Sequence, residues 1–89
     1  MSVNFQLATP LSSLHRDLYQ RMIDLLVTAR RDASLTQADL GRLIGQRQTF
    51  VSKIETGERR LDAAEFVLIG RAIGIDPYEI MRKAEDNSE

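Results

Sequence analysis

Residues 34–61, reading S-L-T-Q-A-D-L-G-R-L-I-G-Q-R-Q-T-F-V-S-K-I-E-T-G-E-R-R-L, constrain this chain more than any other stretch. They read as two short helices joined by a tight turn. The first starts at Thr36, whose hydroxyl can accept from a free backbone N–H, and Asp39 completes a weak capping box. Leu40, Leu43 and Ile44 recur at helical spacing and are expected to face inward. Gly45 ends this helix, because the position calls for a positive φ. The second helix spans about Gln48 to Thr56, turns Val51 and Ile54 to the core and stops at Gly57.

Three more helices are predicted around this pair. One runs from about Ser13 to Asp32, capped by Ser12 or Ser13. Its stripe is Leu14, Leu18, Met22, Leu25 and Ala29, widened by Ile23 and Leu26. Another starts at Asp62, with Glu65 completing a D-A-A-E capping box, and ends at Gly74. Its core residues are Ala63, Phe66, Val67, Leu68, Ile69, Ala72 and Ile73. The last starts at Asp76, with Pro77 at the first helical position, and is only about eight residues long. Residues 1–12 read as a flexible arm with Val3, Phe5 and Leu7 at period two, 13–84 as the folded domain and 85–89 as a solvated tail. The fold class is therefore all-α, a compact five-helix domain.

Thr36, Gln37, Leu40, Gly45, Val51, Ser52, Ile54, Glu55 and Gly57 stand at the motif positions of the lambda-repressor-like helix-turn-helix proteins, often called the XRE family. The chain resembles that family across this stretch. The resemblance implies a helix-turn-helix DNA-binding domain, with the helix over 48–56 laid in the major groove. It also implies base contacts from Arg47, Gln48, Thr49 and Lys53. Those positions suit the task, because burying Val51 and Ile54 leaves Gln48, Thr49, Ser52 and Lys53 facing outward, with Arg47 in the turn before them. Gln can pair with adenine, Arg and Lys with guanine, and a Thr methyl with the thymine methyl. Gln37 opens the preceding helix, where its amide and the free backbone N–H groups can hold a phosphate oxygen. Arg59 and Arg60 fall where the family's loop meets the DNA backbone. They are expected to contact phosphates and so set orientation rather than sequence. Arg42 is harder to orient. Ser52 is expected to divide its role between helix packing and a phosphate.

The resemblance also pairs Glu55 with Arg30, near the end of the first helix, with Arg31 as its neighbour. A buried pair of this kind would fix the angle of the recognition helix. It would cost roughly 3–5 kcal/mol to break, against under about 1 kcal/mol if exposed. Four positions depart from the family pattern. Gly41 and Gly70 stand where alanine is usual, each costing about 1 kcal/mol unless a close contact forbids a side chain. Arg47 replaces the usual small cap and places a long cation at the groove. Phe50 can reach a thymine methyl, wedge against a partner or cover the edge of the core, and area favours the last.

Charge is uneven. The chain is net −1, but 36–60 is net +2 and 61–89 net −4. A basic face backed by an acidic tail suits one-sided binding to a phosphate backbone, although a mixed solvated surface explains it as well. There is no cysteine and a single histidine, His15, so no disulfide framework, no cysteine zinc site and no multi-histidine site can be built. His15 is expected on the surface. No Gly-rich phosphate loop or catalytic constellation is present, so an enzyme is the poorest class and no cofactor is expected. No apolar run approaches the roughly 18 residues of a membrane span, and the N-terminus lacks the basic start of a secretory signal. A cytoplasmic protein is expected.

Two classes remain. One is a sequence-specific transcriptional regulator, a repressor, binding an inverted-repeat operator in double-stranded DNA as a homodimer. Ile75, Tyr78, Ile80 and Met81 are the expected interface, because so short a helix cannot bury both its faces, and Ile80→Asp should then give monomers. A phage-type repressor, a restriction–modification controller and an antitoxin all fit. The other class is a protein-interaction module that keeps the fold but serves a protein partner. Salt separates them, since DNA affinity falls steeply with salt and an apolar contact does not.

Overall fold

The structure, a computed structural model, describes residues 10–86. The expected arm over residues 1–12 lies largely outside them, as do the last three residues of the expected tail. Five helices follow in order: α1 Leu11–Asp32, α2 Gln37–Leu43, α3 Gln48–Thr56, α4 Ala63–Ile73 and α5 Pro77–Asp86. No strand occurs among the described residues. The long α1 is the spine. It runs along α5 and touches α3 and α4, while α2 packs chiefly on α3.

Local chemistry sets most helix ends. At α2, Thr36 Oγ1 accepts from the Asp39 N–H at 2.9 Å and Asp39 Oδ2 accepts from the Thr36 N–H at 2.9 Å. The Asp62–Glu65 box at α4 closes the same way, at 2.7 and 3.1 Å. Both boxes satisfy two otherwise free donors. Gly45 has φ +70°, which a side chain would resist, and Gly57 and Gly74 are likewise left-handed at the ends of α3 and α4. At α1 the expectation needs correcting. The helix begins at Leu11, and neither Ser12 nor Ser13 caps it. Pro10 takes the capping position, with no side-chain bond, and its carbonyl accepts from the Ser13 N–H at 3.1 Å. Glu85 and Asp86, expected in the tail, close α5 instead.

The core is Ile23 and Leu26 from α1, Leu40 from α2, Val51 and Ile54 from α3, Phe66, Ile69 and Ile73 from α4, and Ile80 with Ala84 from α5. The buried line of α1 is Ile23, Leu26 and Arg30, with Met22, Leu25 and Ala29 half-buried on its flank. Ile23 and Leu26, expected only to widen the stripe, are thus its most buried members, and Leu14 and Leu18 are half-buried with the rest.

Two leucines expected in the core are not there. Leu43 is 58% exposed and Leu68 65% exposed. Successive helical residues lie about 100° apart, so Leu68 falls nearly opposite the Phe66–Ile69–Ile73 face, and Leu43 falls well off the Leu40–Gly41–Ile44 face. The expected dimer surface also changes. Ile80 is 8% exposed and belongs to the core. Ile75 and Met81 are half-buried against that core, and only Tyr78 presents an open ring, under the Arg71 guanidinium. The reason is that α5 lies against both α1 and α4, which gives its apolar face a partner within the chain.

Candidate nucleic-acid interface

The turn between α2 and α3 sets how α3 projects. Gly41 is central to it. A Cβ there would stand 2.8 Å from the carbonyl oxygen of Gln46 and 3.2 Å from that of Arg47. The Gln46 N–H donates to the Gly41 carbonyl at 2.8 Å, so the two backbones are pinned face to face. Gly70 is similarly placed, with a Cβ reaching within 3.0 Å of Pro77 Cβ. At both positions a close contact stands behind the departure from alanine. Gly41→Ala should gain about 1 kcal/mol of helix propensity and lose more than that to overpacking, for a net loss of about 1–2 kcal/mol in urea melts. The turn must also shift to accept the methyl, so the expected damage to α3 placement exceeds the damage to stability.

With Val51 and Ile54 buried, α3 presents Gln48, Thr49 and Lys53 to solvent, and Arg47 precedes them, also exposed. Arg47 is the N-cap of α3 and gives it no side-chain bond. Ser52 is half-buried at the rim of this row. The row therefore brings together five of the eight residues read from the sequence as DNA contacts.

Behind it lies a hydrogen-bond chain. Arg30 Nε donates to Glu55 Oε2 at 2.7 Å and its Nη2 to Glu55 Oε1 at 3.0 Å, while Nη1 donates to the Leu35 carbonyl at 2.7 Å. Both side chains are nearly shut off from water, at 7% and 11% exposure. Glu55 Oε1 also accepts from Gln37 Nε2 at 2.9 Å, and Gln37 Oε1 accepts from Gln48 Nε2 at 2.6 Å. The buried pair thus reaches the exposed Gln48 through Gln37. Gln37 is half-buried and bonded at both ends of its amide, so it links Glu55 to Gln48. The sequence pointed to both glutamines but not to their contact.

Arg59, expected at a phosphate, has partners within the chain. Its Nη1 and Nη2 fork onto Glu65 at 3.1 and 2.9 Å, and its guanidinium lies 4.5 Å from the centre of the Phe50 ring. The pairing holds the Glu65 carboxyl below its ordinary range, helped by the Asp62 N–H, and raises Arg59 above its own. The guanidinium is thus paired within the chain, with 38% of the side chain still exposed. Phe50 covers the core edge beneath it, beside Ile44, Leu68 and Ile69. Arg60 is exposed, with its guanidinium 4.9 Å from the centre of the Tyr19 ring. His15 stacks on the same tyrosine and is exposed. Arg42 pairs with Asp39 along α2. Backbone and hydroxyl bonds from Thr36, with Arg42 adding less, hold the Asp39 carboxyl below its usual range.

Among the described residues no cluster of three metal-ligating side chains occurs, and no helix is long and apolar enough to cross a membrane.

A family model described as helix-turn-helix matches residues 26–80. The chain is also similar to the solved structure of an XRE-family like protein from Pseudomonas syringae pv. tomato str. DC3000. Identity is 44% and the TM-score 0.82, over 88% of this chain and 95% of that one. No curated protein matches the chain. The motif, the five-helix lambda-repressor-like fold and the likeness agree, and the chain belongs to the XRE family of DNA-binding helix-turn-helix proteins.

Proposed function

We propose that the protein is a transcriptional repressor that binds an inverted-repeat operator as a homodimer, with the first turns of α3 in the major groove. One observation carries this reading. Arg47, Gln48, Thr49 and Lys53 form an exposed row on a helix whose other face is locked into the core, and Gln48 is aimed by the Arg30–Glu55–Gln37 chain. Such a row offers two cations, an amide and a methyl-bearing hydroxyl, which is the chemistry that reads base edges. Arg60, resting on Tyr19 at the rim, supplies a phosphate contact. Dimerisation follows from size, since one small domain makes too few contacts for a tight specific complex. Tyr78 and the half-buried Met81 on α5, with the half-buried Ile75 just before that helix, form the surface for it. A protein partner is favoured by one observation only, the exposed Leu68 beside an apolar depression lined by Ile44 and Phe50.

Fluorescence anisotropy tests the reading. Two duplexes are compared at about 150 mM salt and above, the DNA upstream of the gene and the same DNA scrambled. The native duplex should bind tighter, and both should weaken steeply with salt. Arg47→Ala and Gln48→Ala should each cost roughly 1–3 kcal/mol on the native duplex alone, while Arg60→Ala weakens both equally and lowers the salt slope by about 1. Equal effects of all three variants on both duplexes would remove the assigned roles. Tight binding of a partner protein with no salt-sensitive DNA binding would favour the interaction module.

A further inference from the structure

The front of α3 has an unusual support. Arg47 gives it no side-chain cap, so the ordinary device for fixing a helix start is missing where the base-reading side chains stand. The back of α3 is held by the Glu55–Arg30 pair and by the Arg59 N–H, which donates to the Lys53 carbonyl at 3.0 Å. At the front, Phe50 follows Thr49 directly, and its ring lies under the Arg59 guanidinium.

Arg59 is itself held from the far side. Its fork grips both oxygens of Glu65, and Nη1 also donates to the Arg60 carbonyl at 3.0 Å. Glu65 cannot swing away easily, because Oε1 also accepts the Asp62 N–H and Asp62 Oδ1 accepts the Glu65 N–H. The first turn of α4 is thereby joined, through one planar cation, to the ring beside Thr49. The pair is partly open to water, with side-chain exposures of 38% and 32%, and pairs of that kind add little to stability. Its charges cancel, so it also adds little to the attraction of phosphate.

Resting on the DNA-binding reading above, we propose that Phe50, Arg59 and Glu65 form a strut from α4 to the recognition helix. All three are positioning residues that set base preference without touching DNA. Arg59 holds the Phe50 ring, the ring fixes the roll of the first turn of α3, and that roll places Gln48 and Thr49 against the base edges.

Two mild variants test this. Arg59→Lys keeps the charge but loses the planar fork and the stacking face. Glu65→Gln keeps an oxygen for the Asp62 N–H, so the α4 cap survives, but removes the charged grip. Both are titrated against a duplex selected by the wild-type protein from a random pool and against its scrambled form, at two salt concentrations. The strut predicts that each variant loses about 3- to 30-fold in the selected-to-scrambled ratio, in line with the modulation typical of residues that contact no ligand. The salt slope on scrambled DNA stays unchanged. A phosphate-contacting Arg59 would give the opposite pattern, which overturns the proposal. Arg59→Lys would then behave as wild type, and Glu65→Gln would free the arginine and tighten both duplexes. A second readout needs no DNA. The backbone amide resonances of Gln48, Thr49 and Val51 in the free protein should move in both variants, with those of Glu55 and Thr56 left in place. Unmoved front-turn amides would overturn the strut even in a protein that selected no duplex.

Discussion

Arg30→Ala should cost about 3–5 kcal/mol of folding stability, and with it most of the margin of an 89-residue domain. The magnitude follows from burial. An exposed ion pair would be worth under about 1 kcal/mol, but these side chains are 7% and 11% exposed, and the arginine makes three hydrogen bonds. Removing it leaves the Glu55 carboxylate in the interior with only the Gln37 amide as a donor. It also leaves the Leu35 carbonyl without its side-chain partner at the end of α1. Urea melts of Arg30→Ala and Glu55→Ala should both show the loss. The double variant Arg30→Met with Glu55→Leu should be far milder than the two singles summed, since it strands no charge. That double variant should still bind DNA less selectively, because Gln37 loses the partner that steadies Gln48. A loss below about 1 kcal/mol in both single variants would mean that water reaches the pair.

The parts of this molecule that were legible in the sequence are those whose causes are local. Thr36 with Asp39 and Asp62 with Glu65 announce helix starts because each box closes within four residues. Gly45, Gly57 and Gly74 announce stops because a positive φ is a property of one residue. The outward row on α3 was legible for a similar reason, since Val51 and Ile54 alone determine which way Gln48, Thr49 and Lys53 face. Contacts that cross between elements were harder. Arg30 and Glu55 lie 25 residues apart, and only the family resemblance pointed to their meeting. Nothing in the sequence joined Arg59 to Glu65, whose visible task was the capping box. Whether Arg59 turns to DNA or to α4 is decided by the course of the loop between them. Leu43 ends α2 and Leu68 sits mid-α4 in the continuous apolar run 66–69, and in neither place does apolarity alone reveal which face is buried. Ile80 was misplaced because the amphipathic face of α5 was denied a partner that α1 in fact supplies.

That last misplacement changes what Ile80→Asp should do. On the sequence alone the substitution splits a dimer into folded monomers. In the structure Ile80 is 8% exposed and packs in the core with Ile23, Leu26 and Ile73. An aspartate there loses the burial of a large aliphatic side chain and places a carboxylate among apolar neighbours. The expected cost is about 4 kcal/mol or more. The expected result is therefore loss of the cooperative thermal transition and of helical circular dichroism, at every protein concentration. Tyr78→Asp is the proper probe of association, because Tyr78 is 52% exposed and its change should leave stability within about 0.5 kcal/mol. Sedimentation then separates two properties that one helix carries on opposite faces. If α5 carries the dimer contact, Tyr78→Asp should sediment as a folded monomer while Ile80→Asp yields no folded species. A folded, monomeric Ile80→Asp with a wild-type transition would place Ile80 at a subunit interface and require α5 to pack differently against α1. A dimer unaffected by Tyr78→Asp would instead move the interface off α5, to the exposed face of α4 around Leu68.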